Sequence, residues 1–152
     1  MDKSDDFLGK IEQFFGKAKR KPQEYSALGL AYIGDGVYDL IIRTIVLDLG
    51  NKKVNQFHKM TIGIVKAESQ ATLLKAIEDE LSEEERRIYK HGRNSKSMTS
   101  AKNASIVDYR VATGFEALLG YLYLQHQLDR ALELVKIGLE RTGQMPKEEN
   151  IK

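Results

Sequence analysis

Cysteine is absent from this 152-residue chain, which excludes a disulfide framework, a thiolate nucleophile and any Cys-ligated zinc or iron–sulfur site. Proline is scarce: only Pro22 and Pro146 interrupt the helical periodicity. No run approaches the ~18 uncharged apolar residues that a membrane span needs. The acidic start Met1-Asp2-Lys3-Ser4-Asp5-Asp6 is unlike a secretory signal, so the expected setting is the cytoplasm, with no membrane partner. An excess of one charge is lacking too. The chain has 24 basic and 22 acidic residues, net +2, so any affinity for a polyanion has to come from where the charges sit.

What is present is a helical period from end to end, read as one all-α domain, a multi-helix bundle over 1–152 with flexible ends at 1–5 and 144–152. Phe7, Leu8, Ile11, Phe14 and Phe15 mark a first amphipathic segment, followed by the basic connector Lys17-Ala18-Lys19-Arg20-Lys21-Pro22. Ser26 is the expected N-cap of a long helix over about 27–49, ended by Gly50-Asn51. A third helix is expected over about 55–81, with Ala67, Ala71, Leu74 and Ile77 on its buried side. Ser82-Glu83-Glu84-Glu85 reads as a capping box opening a short helix to about Lys90. From His91 to Ala104 the chain is Gly, Ser, Asn, Thr and Lys, an expected exposed loop, and helices resume at about 106–125 and 128–141.

Two of these helices carry the chemistry. Leu30-Ala31-Tyr32-Ile33-Gly34-Asp35-Gly36 and Thr113-Gly114-Phe115-Glu116-Ala117-Leu118-Leu119-Gly120 each set one carboxylate in an apolar, small-residue run. Burying a carboxylate costs several kcal/mol unless it is paired or bound to a cation, and a helix-interior Gly costs roughly 1 kcal/mol relative to Ala. Two helices crossing backbone to backbone over the glycines, with Asp35 and Glu116 on a shared divalent metal, account for both penalties. Thr113 lies one turn before Glu116 on the same face, where its hydroxyl can hold a metal-bound water or simply bond back to a carbonyl. The apolar residues around the long helix, Leu28, Tyr32, Val37, Tyr38, Ile41 and Ile42, exceed what one intramolecular face requires and are expected to form a homodimer interface.

Tyr32-Ile33-Gly34-Asp35 and, some eighty residues on, Phe115-Glu116-Ala117-Leu118-Leu119-Gly120 resemble the two signature helices of the ribonuclease III catalytic domain. Lys90-His91-Gly92-Arg93-Asn94-Ser95-Lys96 and Tyr109-Arg110 bring the resemblance closest to its short Mini-III subfamily, over roughly 23–142. The resemblance implies an all-helical, dimeric endoribonuclease that cuts double-stranded RNA with Mg²⁺, or Mn²⁺ in its place, leaving a 5′-phosphate and a 3′-hydroxyl. In that scheme Asp35 and Glu116 are catalytic metal ligands and a metal-activated water attacks the phosphodiester. The short subfamily matures large-subunit (23S) ribosomal RNA precursors, which makes an assembling ribosomal subunit or a ribosomal protein a candidate partner. Ala31 and Thr113 stand where longer family members carry two further carboxylates, and no double-stranded-RNA-binding domain is expected after the last helix. RNA then has to be held by the catalytic domain, for which Lys90, His91, Arg93, Lys96 and Lys102 in and beside the 91–104 loop are suited, with the Lys17–Lys21 connector a weaker signal.

Plainer readings stand beside these. Asp39 and Glu68 are expected to be ion-paired or solvated charges, and His58, His91 and His126 have neither metal-ligand spacing nor a nucleophile beside them. A noncatalytic structured-RNA-binding module, or a helical protein-interaction bundle with purely structural acids, are the alternatives to the nuclease.

Overall fold

The computed structural model describes residues 5–95 and 105–148. Among them all regular structure is helical: α1 (Phe7–Phe15), α2 (Ala27–Leu47), α3 (Val54–Val65), α4 (Ala67–Ile77), α5 (Glu83–Ser95), α6 (Ser105–Leu124) and α7 (Leu128–Thr142), with 3-10 turns at Pro22–Glu24 and Glu78–Glu80. The expected caps are present. Ser26 Oγ accepts from the Gly29 N–H at 3.0 Å, and Ser82 and Glu85 exchange reciprocal bonds at 2.9 and 3.1 Å. Gly143 closes α7 in the left-handed conformation (φ 72°) that suits a residue without Cβ.

Helix α6 is the axis of the domain, buried around most of its circumference from Val111 onward and packed against α2, α5, α4 and α7. The main core joins Tyr38 and Ile42 of α2, Leu73, Leu74 and Ile77 of α4, Phe115, Leu118 and Leu122 of α6, and Leu134 and Leu139 of α7. The Tyr38 ring meets Phe115 edge-on, with centroids 5.1 Å apart and planes at 87°. Tyr38 and Ile42 therefore belong to this core and not to the surplus apolar surface expected on α2, whereas Leu28 and Tyr32 stay exposed, at 45% and 83%.

Above this seam α2 and α6 touch through their backbones. A methyl group at Gly34 would lie 1.7 Å from the Glu116 carbonyl oxygen, and one at Gly120 would lie 2.0 Å from the Leu30 carbonyl oxygen. No side chain fits at either position.

Helix α5 approaches α6 in the same way, and this corrects the expected loop. Residues His91–Ser95 are the last turn of α5, because Gly92 is a packing glycine: a methyl there would lie 2.8 Å from the Ala117 side chain and 3.0 Å from Gly114 Cα. The remainder of that stretch, 96–104, with Lys96 and Lys102, lies outside the described residues. At its other end α5 is fastened by Glu85, whose carboxylate accepts from Arg130 at 2.9 and 3.0 Å. Burial pushes the Glu85 carboxyl up, but the Arg130 guanidinium and the Ser82 N–H outweigh it and hold the group below the usual carboxylate range.

The helix expected over 55–81 is broken in two. Lys66 is extended (φ −65°, ψ 157°), Ser69 Oγ donates to the Gly63 carbonyl at 2.6 Å, and the N–H groups of Ser69 and Gln70 restart the ladder on the Lys66 carbonyl. Within the expected flexible tail, Gln144 donates to the Ser69 carbonyl at 3.2 Å and Met145 packs on the core.

The crossing yields a paired prediction. Gly34→Ala forces backbone apart and is expected to lose about 3 kcal/mol or more of stability. Gly36→Ala, two residues on with open space around it, is expected to be neutral or to gain up to about 1 kcal/mol from helix propensity. Chemical denaturation of the two variants checks this, and equal effects would contradict the close crossing.

Candidate active site

The glycine crossing determines where the carboxylates go. Gly34 rests on the Glu116 backbone, and the next residue on α2, Asp35, opens into the same cleft as the Glu116 side chain of α6. Both line one cleft of about 280 Å³, together with Val65, Ala67 and Gln70 from the α3–α4 break and Tyr109, Ala112 and Thr113 from α6.

The two acids sit in different surroundings. Asp35 is exposed, which corrects the premise that it is a buried charge: the glycines around it serve the helix crossing, and the carboxylate itself faces solvent. Glu116 is half-buried, and its Oε2 accepts from Gln70 Nε2 at 3.0 Å. Thr113 is buried against the cleft, and its hydroxyl donates to the Tyr109 carbonyl at 2.9 Å. That is the backbone-bonded arrangement weighed in the sequence, and it leaves the Thr113 oxygen able to accept but not to donate again.

The remaining residues divide cleanly. Asp39 pairs with Arg43 at 2.7 Å, one turn along α2, and Glu68 pairs with Lys66 at 2.6 Å; neither lines the cleft. No histidine lines it either. His126, at φ 61° in the α6–α7 turn, lies between Asp6 at 2.7 Å and Glu12 at 3.1 Å and fastens α1 to the body. Lys90 is exposed on α5, and Arg93 is half-buried with its guanidinium 5.5 Å from the centroid of the Tyr89 ring. Burial pushes the Tyr89 phenol up, so the ring beneath that cation stays neutral. Gly92, between them in sequence, touches Gly114 and Ala117, the neighbours of Thr113 and Glu116. The basic end of α5 is thereby tied to the segment of α6 that carries the cleft.

Sequence reasoning missed Gln70. The signal was there: on the buried stripe Ala67, Ala71, Leu74, Ile77, position 70 is the polar exception, and it is 2% exposed.

The donor set fits a hard divalent cation. Asp35 and Glu116 come from different helices into one polar cleft, and among the described residues no group of three or more His, Cys, Asp or Glu forms a metal cage. Magnesium ordinarily binds through one or two carboxylates and keeps several waters, so a two-acid cleft open to solvent suits it.

Comparison with known proteins identifies the family. Residues 28–127 match the Ribonuclease III domain family. The chain is 48% identical over 132 residues to Mini-ribonuclease 3 of Clostridium tetani, covering 86% of this chain and 84% of that protein. It is 44% identical over 127 residues to Mini-ribonuclease 3 of Enterococcus faecalis, covering 82% and 96%. The X-ray crystal structure of a Fusobacterium nucleatum protein superimposes with a TM-score of 0.71 at 29% identity, covering 80% of this chain and 98% of that one.

Proposed function

The chain belongs to the ribonuclease III family, in its Mini-ribonuclease 3 branch, and is an endoribonuclease; from that premise we propose that it hydrolyses double-stranded RNA at the α2–α4–α6 cleft, with Asp35 and Glu116 holding Mg²⁺. The observation that carries the proposal is the convergence of these two carboxylates, 81 positions apart in the sequence, on one cleft. Mn²⁺ has the same preference for oxygen ligands and is expected to substitute.

Each residue then has a task. Asp35, exposed on α2, and Glu116, oriented on α6, supply anionic oxygens to the cation from two sides of the cleft. When bound, the cation supplies a more acidic water and a positive charge against the scissile phosphate, the chemistry that yields a 5′-phosphate and a 3′-hydroxyl. Thr113, with its proton committed to the Tyr109 carbonyl, accepts a hydrogen bond from a water in the cleft. Lys90 and Arg93 at the end of α5 grip phosphates of the duplex, as an A-form helix read by shape and charge requires, and Lys96 and Lys102 continue the basic stretch in sequence.

No helix among the described residues is long and apolar enough to cross a membrane. A precursor of large-subunit (23S) ribosomal RNA is the substrate that the resemblance to the short subfamily supports, with an assembling ribosomal subunit or a ribosomal protein as an additional partner. A homodimer is supported by the exposed Leu28 and Tyr32 on α2, and by the apolar groove where Phe7 and Ile11 of α1 meet Ile33, Val37 and Leu40. Two cleft-bearing copies would cut the two strands of a duplex.

Two measurements test this. Asp35→Asn and Glu116→Gln are each expected to reduce cleavage of a duplex RNA by more than the ~10–100-fold that losing an outer-shell partner costs, with melting temperature and duplex binding unchanged. Near-wild-type cutting by either variant would contradict the assignment. Sedimentation at micromolar concentration is expected to give twice the 17.3 kDa chain mass, and a monomer that still cuts both strands would contradict the dimer.

A further inference from the structure

We infer that Gln70 is a positioning residue for Glu116, coupling the α3–α4 break to the geometry of the metal ligand. The inference rests on the reading of Glu116 as a ligand and extends it to a residue that acts through Glu116.

The argument begins with the broken helix. In a continuous helix the Val65 carbonyl would accept from the Ser69 N–H, four residues on. Here the Ser69 N–H bonds the Lys66 carbonyl instead, at 3.1 Å, because Lys66 is extended. Val65 O is thus released from the ladder, and Gln70 Nε2 donates to it at 2.8 Å. The same nitrogen donates to Glu116 Oε2 at 3.0 Å. Both neighbours are acceptors, so the orientation of the amide is determined: the NH₂ faces them and the oxygen faces away. A primary amide nitrogen has two protons, one for each partner. A hydroxyl has one, and a carboxylate at position 70 would repel Glu116.

Satisfying the Val65 carbonyl accounts for one of the two N–H bonds and not for the other. Gln70 is 2% exposed, and its Oε1 is buried without a protein partner among the described residues. An unsatisfied buried acceptor is unfavourable; an apolar side chain of similar size would avoid it but would leave the Val65 carbonyl and Glu116 without their N–H bonds. What the amide adds is the pair of N–H bonds, one of which orients a carboxylate that lines the cleft. Groups that orient ligands from behind typically change metal affinity or activity 10–100-fold when they are lost. Helix α4 lines the cleft with Ala67 and Gln70, and Gln70 bonds both the Val65 carbonyl beside the Lys66 break and Glu116, so a shift of the break reaches Glu116 through it.

Gln70→Leu tests the assignment, with Gln70→Met, unbranched and equally unable to donate, as the second variant should Leu not fold. Mn²⁺ binding to the RNA-free protein is followed by electron paramagnetic resonance, alongside steady-state cleavage of a duplex RNA and thermal melting. The expected result is Mn²⁺ affinity lower by ~10-fold or more, kcat lower by a similar factor and KM for the duplex within about twofold; the melting temperature is expected to change little, because removing the orphaned Oε1 offsets the loss of the bond to the Val65 carbonyl. Wild-type Mn²⁺ affinity and kcat in a folded variant would overturn the inference, whichever way the melting temperature moves. Wild-type protein and Glu116→Gln provide the reference. If wild type binds Mn²⁺ and Glu116→Gln does not, an unchanged Gln70→Leu refutes Gln70 alone. If wild type binds no Mn²⁺, the metal-site reading fails and takes this inference with it.

Discussion

The contact on which the rest of this structure depends is the backbone-to-backbone crossing of α2 and α6 at Gly34 and Gly120. With a would-be Cβ 1.7 Å from a carbonyl oxygen on one side and 2.0 Å on the other, the two helices have no room for a side chain between them. The cost of two helix-interior glycines, about 1 kcal/mol each, is offset by the packing that the close approach permits. Its functional consequence is positional. Asp35 follows Gly34, and Glu116 supplies the carbonyl on which Gly34 rests, so the contact that builds the fold also brings two carboxylates to one cleft. Moving the helices apart by one methyl group would loosen the core seam of Tyr38 and Phe115 and separate the acids at the same time.

Around this crossing the other elements act as braces. Gly92 seats α5 against Gly114 and Ala117, bringing Lys90 and Arg93 to the segment of α6 that carries Thr113 and Glu116. The Glu85–Arg130 pair holds the start of α5 to α7, and His126 holds α1 through Asp6 and Glu12. The extended Lys66 lets α4 begin at the edge of the cleft, which places Gln70 behind Glu116. Among the described residues the cleft is lined from four helices, of which α2 and α6 supply its acids.

How far this was legible in the sequence depended on whether the signal was local. Caps such as Ser26 and the Ser82–Glu85 box are encoded within four residues, and both formed as expected. The small residues flanking Asp35 and Glu116 announced a close crossing, although the argument from a buried Asp35 did not hold, because the glycines serve the crossing and not the charge. Gly92 was misleading for a related reason: amid Asn, Ser and Lys it resembles a loop residue, and its role as a packing glycine exists only in the presence of α6. The break at Lys66 left no mark in the sequence, since the apolar stripe runs through it unchanged and the ladder is repaired by the side chains of Ser69 and Gln70. Tyr38 and Ile42 lie on a helix that is apolar nearly all round, where periodicity cannot separate the core face from the exposed one.

The central claim is that the glycine crossing exists at the point where two carboxylates share a metal. Anomalous X-ray scattering from crystals soaked in Mn²⁺ tests it most directly, because it locates the ion independently of activity. The account predicts a peak within about 2.0–2.2 Å of carboxylate oxygens from both Asp35 and Glu116 in the α2–α4–α6 cleft. Strong Mn²⁺ density elsewhere on the protein, with none in reach of both carboxylates, would contradict it.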